Sequence, residues 1–405
     1  MTPTLPFAAI DLLSLAVSVG KIVFLCFLVI LPLVSISVYF ERRLSAVIQD
    51  RVGPNRVGVP LTLFGFKKDW QPLGIGGLAQ AAADGLKFIL KEDFVPAHVR
   101  KVYYWMAPCL VVVPALLTCA VLPFGSEIDL SFLNPIVTSI FGGSGFTEPV
   151  KLVIADLSVG PLFTFAIASI GVYGIVLAGW ASNSKYPFLG GVRSSAQMIS
   201  YEISLGLSII PVFMIFGELN LGKMAAYQDA NGWLLLPFWG EGLSLQRWAL
   251  MIPIVISFCI FTVSMFAETN RLPFDLAECE TELVAGYHTE YSSMKFALFF
   301  MGEYAAMIIG SGMAVTLFLG GWSIPFAPYL GLAFEAGNTP WWLGLLHIAT
   351  FFAKVFAFIL FFIAIRWTLP RFRFDQLMAL GWKVFFELAL ANVFLTALIL
   401  WWTQK

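Results

Sequence analysis

Charged residues are scarce in this sequence. They make up only 12% of its 405 residues, whereas 59% are hydrophobic, and soluble domains usually carry about 25% charged residues. This balance is typical of a protein embedded in a lipid bilayer and argues against a water-soluble domain. The net charge of −1 says little by itself, because positive charges collect in alternate loops of the chain.

Residues that hold redox centres are also few. The five cysteines form no CxxC pair, and four of them lie in or beside hydrophobic runs, so we interpret them as small apolar residues. The three histidines lie in three different segments, whereas a haem held within a bundle needs axial ligands on facing helices. We therefore expect no metal site and no redox centre on this chain, so that any electrons it uses arrive from a partner.

Long hydrophobic runs, in contrast, are abundant. A membrane-spanning helix needs about 20 mostly apolar residues, and eight runs with little or no charge meet this length. They predict an all-α integral membrane protein with one polytopic domain over residues 1–405. No basic region precedes the first apolar stretch, so we expect the first helix to remain in the chain. The runs lie near residues 14–40, 103–123, 150–180, 196–217, 248–267, 294–320, 342–366 and 379–402.

Lysine and arginine residues concentrate in alternate loops. Eighteen of the 24 lie in the odd-numbered loops, and four lie in the even-numbered loops and the two tails. Because cytoplasmic loops carry an excess of Lys and Arg, we expect the odd-numbered loops to face the cytoplasm and both termini to face outward. The odd-numbered loops cover residues 41–101, 181–195, 268–295 and 366–383.

The first loop, residues 41–101, combines an arginine-rich stretch with an amphipathic segment. It opens with ERRLSAVIQDRVGPNRVG, in which Gly-Pro-Asn marks a turn. Between residues 76 and 92, Gln80, Asp84, Lys87 and Lys91 recur at helical period, which predicts a helix lying in the membrane interface. Such a helix beside the arginines could frame an opening at the lipid boundary. Alternatively, the arginines only anchor the loop and the helix only seals it to the bilayer.

The third loop leads directly to an intramembrane acid. It is interpreted as a short Gly-rich turn with Asn183, Lys185 and Arg193, and Glu202 follows inside an apolar run. An ionised side chain near the bilayer centre costs about 2.5–3.5 kcal/mol or more. Glu202 could snorkel or simply be protonated, but intramembrane acids usually mark proton paths, and we favour that function.

The fifth loop, residues 268–295, is strongly acidic and has no Lys or Arg between Arg271 and Lys295. If the part after Pro273 is helical, Asp275, Glu278 and Glu282 share one face, where like charges raise the pKa of some members. Three interpretations remain: a cation site, although no D-x-D-x-D-G loop is present, a reservoir of carboxylates that exchange protons, or a solvated patch without function. The acids are Glu268, Asp275, Glu278, Glu280, Glu282 and Glu290.

One further carboxylate, Glu303, lies inside an apolar run, and Asp156 and Lys354 are placed similarly. Together with Glu202 and Glu268, these residues could form a chain of titratable groups from the acidic loop into the bundle.

Five long sequence segments contain most of the polar loop residues, and each loop rich in Lys and Arg, here called a basic-side loop, includes part of at least one segment. They are ERRLSAVIQDRVGPNRVG, ADGLKFILKED, GVYGIVLAGWASNSKYPFLGGVRSSAQMISYE, AETNRLPFDLAECETELVAGYHTEY and PRFRFDQLM. In content and order they resemble the cytoplasmic motifs of the H subunits of NADH:quinone oxidoreductase (respiratory complex I), the family of quinone-site membrane subunits. The resemblance runs from about residue 20 to the last span. The sequence departs at Ala81, where many members have proline, and in the outward loops 124–149 and 218–247, which look longer than in compact members.

The resemblance implies that the basic-side loops cap a quinone chamber, which quinone enters from the lipid beside the interfacial helix. It assigns to this chamber Arg42, Arg43, Asp84, Arg271, Asp275, Glu278, Glu280 and Glu282. It assigns Glu202, Glu268 and Glu303 to a proton path. Further loop contacts would come from Glu41, Arg51, Arg56, Asn183, Lys185, Arg193, Glu290, Arg371 and Arg373.

The resemblance also implies a substrate and partners. Quinone would be the substrate, and NADH would bind elsewhere in the complex, in agreement with glycine runs at 74–77 and 142–145 that lie in no βαβ pattern. This chain would bind no iron–sulfur cluster, flavin or haem, would hold no complete active site alone and would contact no nucleic acid. Its partners would be the bilayer, iron–sulfur and quinone-site subunits of the peripheral arm, and small and antiporter-like membrane subunits. The implied location is an energy-transducing membrane, the bacterial plasma (inner) membrane.

Three other functions fit part of the pattern. A membrane subunit of an energy-converting hydrogenase, or of another complex I-like dehydrogenase, would share these motifs, although their fullness favours the quinone enzyme. A secondary ion transporter is expected to show paired repeats and interrupted helices, and no such repeat is evident. A purely structural membrane anchor would not need Glu202 or the crowded acids of the fifth loop.

Overall fold

The computed structural model describes residues 12–55, 57–58, 77–135, 139, 149–239, 244–276, 283–337 and 339–403. Within these residues, eight helices are long and apolar enough to cross a membrane. The prediction of an all-α, multi-pass membrane protein with eight spans is thereby confirmed. The spans are Leu15–Ile48, Lys101–Val121, Gly160–Ala181, Lys185–Phe216, Arg247–Glu268, Ser293–Phe318, Trp341–Thr368 and Phe374–Thr403.

Several spans change their helical geometry along their length. The first consists of Leu12–Ile22, a π-helical segment Val23–Ile30, and Leu31–Ile48. The second is Lys101–Thr118 followed by a 3₁₀ turn, Cys119–Val121. The last consists of Phe374–Ala379, π-helical Leu380–Phe385 and Phe386–Thr403. The fifth span, in contrast, is α-helical throughout, and its helix covers Leu245–Glu268. The shorter elements are helices Gln80–Leu90, Leu221–Asn231 and Ala327–Leu330, 3₁₀ turns Ser131–Leu133 and Gly286–His288, and antiparallel strands Glu127–Ile128 and Val150–Lys151.

The third span begins at Gly160 and not near residue 150, as the hydropathy predicts. Val150 instead pairs with Ile128 in the two-stranded sheet, and Pro161 fits the first turn of the helix that follows. Asp156 therefore lies outside the span, where its carboxylate is 3.0 Å from the ammonium of Lys151. The hypothesis that Asp156 is an intramembrane acid is wrong.

The third loop is much shorter than predicted, because the fourth span begins at Lys185. Lys185 and Arg193 accordingly lie on this helix and not in a Gly-rich turn. The glycines serve close helix packing instead: a Cβ at Gly191 would lie 3.4 Å from the Cα of Gly179 in the third span. Small residues that let helix backbones approach closely are common between membrane helices.

The interfacial helix is present over Gln80–Leu90, shorter than the predicted 76–92. None of its residues is fully buried, and its partly covered face carries Gln80, Asp84 and Phe88. Leu86 and Ile89 are exposed on the opposite face. This arrangement turns the polar face toward the bundle and leaves an apolar face for lipid.

The start of the acidic loop is not helical. Residues 269–276 form turns after the fifth span, so Asp275 does not lie on a helix, in contrast to the prediction from the spacing of the acids. Its predicted helix-mates Glu278, Glu280 and Glu282 lie outside the described residues, as does Arg56. Glu268, in contrast, is the last residue of the fifth span.

The sixth span, Ser293–Phe318, lies at the centre of the bundle. Buried residues make up 67% of its most apolar stretch, against 17% for the eighth span. Its neighbours include the first, second, fifth and seventh spans. Side chains on the sixth span can therefore contact several other segments at once.

Candidate functional site

Five side chains from four segments form a buried ionic network at the loop end of the bundle. Arg366 and the hydroxyl of Tyr304 both donate hydrogen bonds to the carboxylate of Glu41. The guanidinium of Arg271 lies 3.7 Å from Glu41 Oε2 and 3.9 Å from Glu303 Oε2. It also stacks on the Tyr304 ring, 4.0 Å from the ring centroid. Buried ions are tolerated when they are paired in this way.

The turn after the fifth span positions Arg271. Asn270 adopts a left-handed conformation, with φ of 49°, which reverses the chain where the helix ends. Gln197 on the fourth span holds this turn by donating to the carbonyls of Ala267 at 2.7 Å and Phe274 at 2.9 Å. The guanidinium is thus aimed into the bundle by two helices and one tight turn.

A cavity of about 390 Å³ opens beside this network. Its wall combines ionisable groups with aromatic rings, an arrangement common in sites for small organic ligands. The ionisable and polar residues of the wall are Asn270, Arg271, Asp275, His288, Glu303, Arg366 and Arg371. The aromatic residues are Phe296, Phe300 and Trp367. We refer to this space as the loop cavity.

The pKa values of the ionisable groups in the loop cavity are shifted from their ordinary values, some upward and some downward. Burial raises the pKa of Asp275 to about 6, although Arg371, 3.2 Å away, works against this. Burial also lowers the pKa of His288, so this imidazole is neutral at pH 7. Arg271 keeps its charge: burial lowers its pKa, but Tyr304 and the nearby carboxylates raise it above the usual value. Asp275 is therefore a group of the wall that titrates close to neutral pH.

A second, smaller cavity of about 100 Å³ lies within the membrane-spanning bundle. Most of its wall is apolar, but Glu268, Asn270 and Glu303 line it as well. Asn270 and Glu303 thus border both this intramembrane cavity and the loop cavity. Glu268 also interacts electrostatically with Glu202, whose carboxylate accepts a hydrogen bond from Ser169. The three predicted proton-path residues therefore form one series.

The interfacial helix is attached to the same region at both of its ends. Arg42 of the first span lies 2.7 Å from Asp84 Oδ2, and Gln80 donates to Asp84 Oδ1 at 3.0 Å. At the other end, Ser293 at the start of the sixth span donates to the carbonyl of Phe88 at 2.8 Å. The helix is therefore held between the first and sixth spans, next to the ionic network.

Other predicted site residues lie away from these cavities. Arg43 is exposed on the first span, and Arg373 is paired with Asp375 on the surface, 3.5 Å away. Glu290 lies 3.9 Å from His98 and does not line the loop cavity. Arg51, Asn183, Lys185 and Arg193 do not line either cavity.

Sequence reasoning missed several residues of the site. Tyr304 follows Glu303 directly, yet an aromatic residue in an apolar run gives no polar signal by itself. Arg366 is a basic residue at the end of a span, which indicates orientation and not a buried partner. Tyr287 donates to Glu303 Oε1 at 2.7 Å and lies within one of the family-like segments. Among the described residues, no group of three or more His, Cys, Asp or Glu is placed to hold a metal ion.

Comparisons with known proteins agree with the resemblance of the loop motifs. The family model described as NADH dehydrogenase matches residues 21–397. The chain is 44% identical over 388 residues to an H subunit of the NADH-quinone oxidoreductase of Koribacter versatilis, covering 95% of this chain and 97% of the relative. It is 44% identical over 388 residues to an H subunit from Geobacter metallireducens (96% and 98% covered) and 45% identical over 364 residues to the H subunit from Salinibacter ruber (90% and 90% covered). The chain therefore belongs to the family of NADH-quinone oxidoreductase H subunits and is a membrane component of such an enzyme complex.

Proposed function

We propose that this protein forms the membrane side of a quinone chamber and passes the change of charge at the quinone to a proton path. The observation that carries this proposal is the position of Glu303 and Asn270, which border both the loop cavity and the intramembrane cavity. A change of charge in the first cavity is thereby felt by a carboxylate that also faces the second.

The loop cavity has the chemistry that a quinone headgroup requires. The rings of Phe296, Phe300 and Trp367 supply flat apolar contacts. Arg271 and Arg371 supply hydrogen-bond donors for carbonyl oxygens. Reduction adds two electrons and consumes two protons, so fixed positive groups stabilise the headgroup while it carries negative charge, before the protons are taken up.

The carboxylates respond to this change of charge by binding or releasing protons. Asp275 has a pKa of about 6, so it can give or take a proton near neutral pH. Glu303 is close to Arg271 and is hydrogen-bonded by Tyr287. Negative charge arriving in the loop cavity competes for Arg271 and changes which of Glu303, Glu268 and Glu202 holds a proton.

The remaining subunits complete the reaction. Electrons arrive from an iron–sulfur subunit of the peripheral arm that docks on the loop side together with its quinone-site neighbour, and NADH binds elsewhere in that arm. Protons pass on to small and antiporter-like membrane subunits. The loops face the cytoplasm, both termini face outward, and the membrane is the bacterial plasma membrane. Purification of the native complex tests this assignment: iron–sulfur and antiporter-like partners support it, and nickel-bearing partners indicate a hydrogenase instead.

Glutamine substitutions test the proton path. Glu268→Gln and Glu202→Gln keep the size of the side chain but remove the exchangeable proton, so we expect each to reduce proton-coupled quinone reduction at least about tenfold, the effect of roughly 1.4 kcal/mol on a barrier. Oxidation of NADH by artificial acceptors should not change, because those acceptors bypass the quinone.

Glu218→Gln is the matched control, since Glu218 is an exposed residue paired with Lys223 on the opposite side of the bundle. It should leave both activities intact. Unchanged coupled turnover in both Glu268→Gln and Glu202→Gln would contradict the proposal.

A further inference from the structure

Two buried cysteines from different spans contact each other at the end of the bundle opposite the loop cavity. Cys26 belongs to the π-helical segment of the first span, and Cys119 directly follows the last α-helical residue of the second span. Their Sγ atoms are 3.5 Å apart. The other cysteines within the described residues, Cys109 and Cys259, are exposed.

We propose that Cys26 and Cys119 form an oxidisable dithiol, which closes to a disulfide and links the first span to the second. A disulfide needs its sulfur atoms about 2 Å apart, so the two, now 3.5 Å apart, must approach each other by about 1.5 Å. Small side-chain rotations supply such a movement, and a small apolar cavity lined by Cys119, Leu25 and Phe124 leaves room for it. The wide π-helical turn around Cys26 also departs from regular α-helical geometry.

The surroundings determine the class of oxidant and the order of the two steps. Cys26 is 9% exposed and Cys119 only 1%, and Phe27 and Leu28 next to Cys26 are largely exposed on the surface of the spanning bundle. An oxidant therefore reaches Cys26 first, and from the lipid. A lipid-soluble organic hydroperoxide meets this requirement.

The reaction balances without another reactant. The Cys26 thiol takes one oxygen atom from the hydroperoxide, whose O–O bond breaks, and the corresponding alcohol leaves. Cys26 is then a sulfenic acid, which condenses with a thiol. The Cys119 sulfur attacks it, the S–S bond forms and water leaves. The two thiols have lost two electrons and two protons in total, and the hydroperoxide has become alcohol and water.

The disulfide would restrain a segment of the first span that has few buried residues. Within Val23–Ile30 the buried residues are Leu25, Cys26 and Ile30. The same continuous helix carries Glu41 of the ionic network. A disulfide at Cys26 would thus restrain the far end of a helix whose other end lies at the loop cavity.

The test exposes the complex in native membranes to cumene hydroperoxide, with molecular iodine as a second two-electron oxidant. We expect both reagents to remove the Cys26 and Cys119 thiols together, with a mass loss of two hydrogens in the joined peptides, and a phosphine reductant to restore both thiols. Hydrogen exchange over Val23–Ile30 should become slower in the linked form.

Cys26→Ser and Cys119→Ser are the matched controls, with Cys26→Ala as a second variant if serine disturbs folding. Each should lose the linkage, while Cys109 and Cys259 in the same sample report the reactivity of exposed thiols. If iodine fails to link Cys26 to Cys119, the two thiols are not close enough to form a disulfide, and the proposal is overturned. Oxidation of Cys26 by the hydroperoxide without a bond to Cys119, or unchanged exchange in the linked form, would overturn the proposed device.

Discussion

Glu41 shows how single residues of the site depend on one another. Its carboxylate accepts hydrogen bonds from Arg366 and Tyr304 and lies 3.7 Å from Arg271. Removing one partner of a buried ion pair typically costs about 3–5 kcal/mol, because the other charge is left uncompensated. Each member of the network therefore stabilises the position of the others, in addition to any role toward a ligand.

Asp275 offers a prediction on pH dependence. Its pKa is raised from 3.8 to about 6 by burial, so the folded protein binds a proton that the unfolded chain has already lost. Stability therefore falls as the pH rises from about 4 to about 6, by an amount of roughly 3 kcal/mol in total at 1.36 kcal/mol per pKa unit. Asparagine does not titrate, so the stability of Asp275→Asn lacks this dependence on pH. The melting temperature of the variant should therefore rise relative to that of the wild type between pH 5 and pH 7, and the difference should stay constant above pH 7.

The control for this measurement is Asp375→Asn, because Asp375 is exposed and paired with Arg373 on the surface. Its melting temperature should follow that of the wild type across the same range. A constant difference between Asp275→Asn and the wild type from pH 5 to pH 7 would show that Asp275 does not titrate in this range and would contradict the prediction.

At the scale of an element, the fourth span is shaped by its glycines. A Cβ at Gly190 would lie 2.7 Å from the backbone nitrogen of Tyr287 and 2.8 Å from the Cα of Gly286. The helix therefore packs directly against the backbone of the acidic loop. That backbone carries Tyr287, whose hydroxyl donates to Glu303.

Gly190→Ala should accordingly displace Tyr287 and weaken its hydrogen bond to Glu303. We expect lower thermal stability, by about 1–3 kcal/mol for an overpacked site, and reduced coupled quinone reduction. Gly206→Ala on the same helix is the matched control, since a Cβ there meets no atom within 4 Å. It should be neutral or stabilising by about 0.5–1 kcal/mol, because alanine favours a helix. Equal effects of the two substitutions would contradict this explanation.

The secondary-structure elements can largely be predicted from the sequence where the length and apolarity of a segment determine its structure. Eight apolar runs correspond to eight spans, and the interfacial helix is present because its polar residues recur at helical period. The predictions fail where tertiary contacts compete with local signals. Gly190 and Gly191 suggest a turn, yet in the structure they allow close helix packing, and Val150 is apolar enough for a span but pairs in a strand.

At the scale of the whole molecule, charge is sorted along the membrane normal. The loop cavity, the ionic network and the interfacial helix all lie at the end of the bundle that carries most of the Lys and Arg residues. The eight spans of the described residues are even in number, so Leu12 and Thr403 both lie at the opposite end of the bundle. From the positive-inside rule we propose that the loop cavity faces the cytoplasm.

Labelling with a membrane-impermeant maleimide tests this orientation. Asp50→Cys lies in the turn after the first span, and Lys223→Cys lies in the helix after the fourth. In inverted vesicles, where the cytoplasmic face is outside, Asp50→Cys should react and Lys223→Cys should not; intact spheroplasts should give the opposite pattern. The unsubstituted chain measures the background from its natural cysteines, and a reversed pattern would contradict the proposed topology.

The assembly of the site is predictable only in part. Intramembrane acids such as Glu202 and Glu303 stand out in an apolar sequence, because their burial is costly. Their neighbours do not stand out, since Glu41, Arg271 and Arg366 come from segments far apart in the chain. No periodicity links such residues, and only the packing of four segments brings them together.

The ionic network has one consequence for the whole enzyme. Glu41 and Glu303 offset Arg271 and Arg366, so the four charged side chains sum to zero when all are ionised. Where the dielectric constant is low, electroneutrality is strongly enforced. If electrons reach a quinone beside this balanced set, as proposed above, we expect the added negative charge to be offset by the uptake of protons.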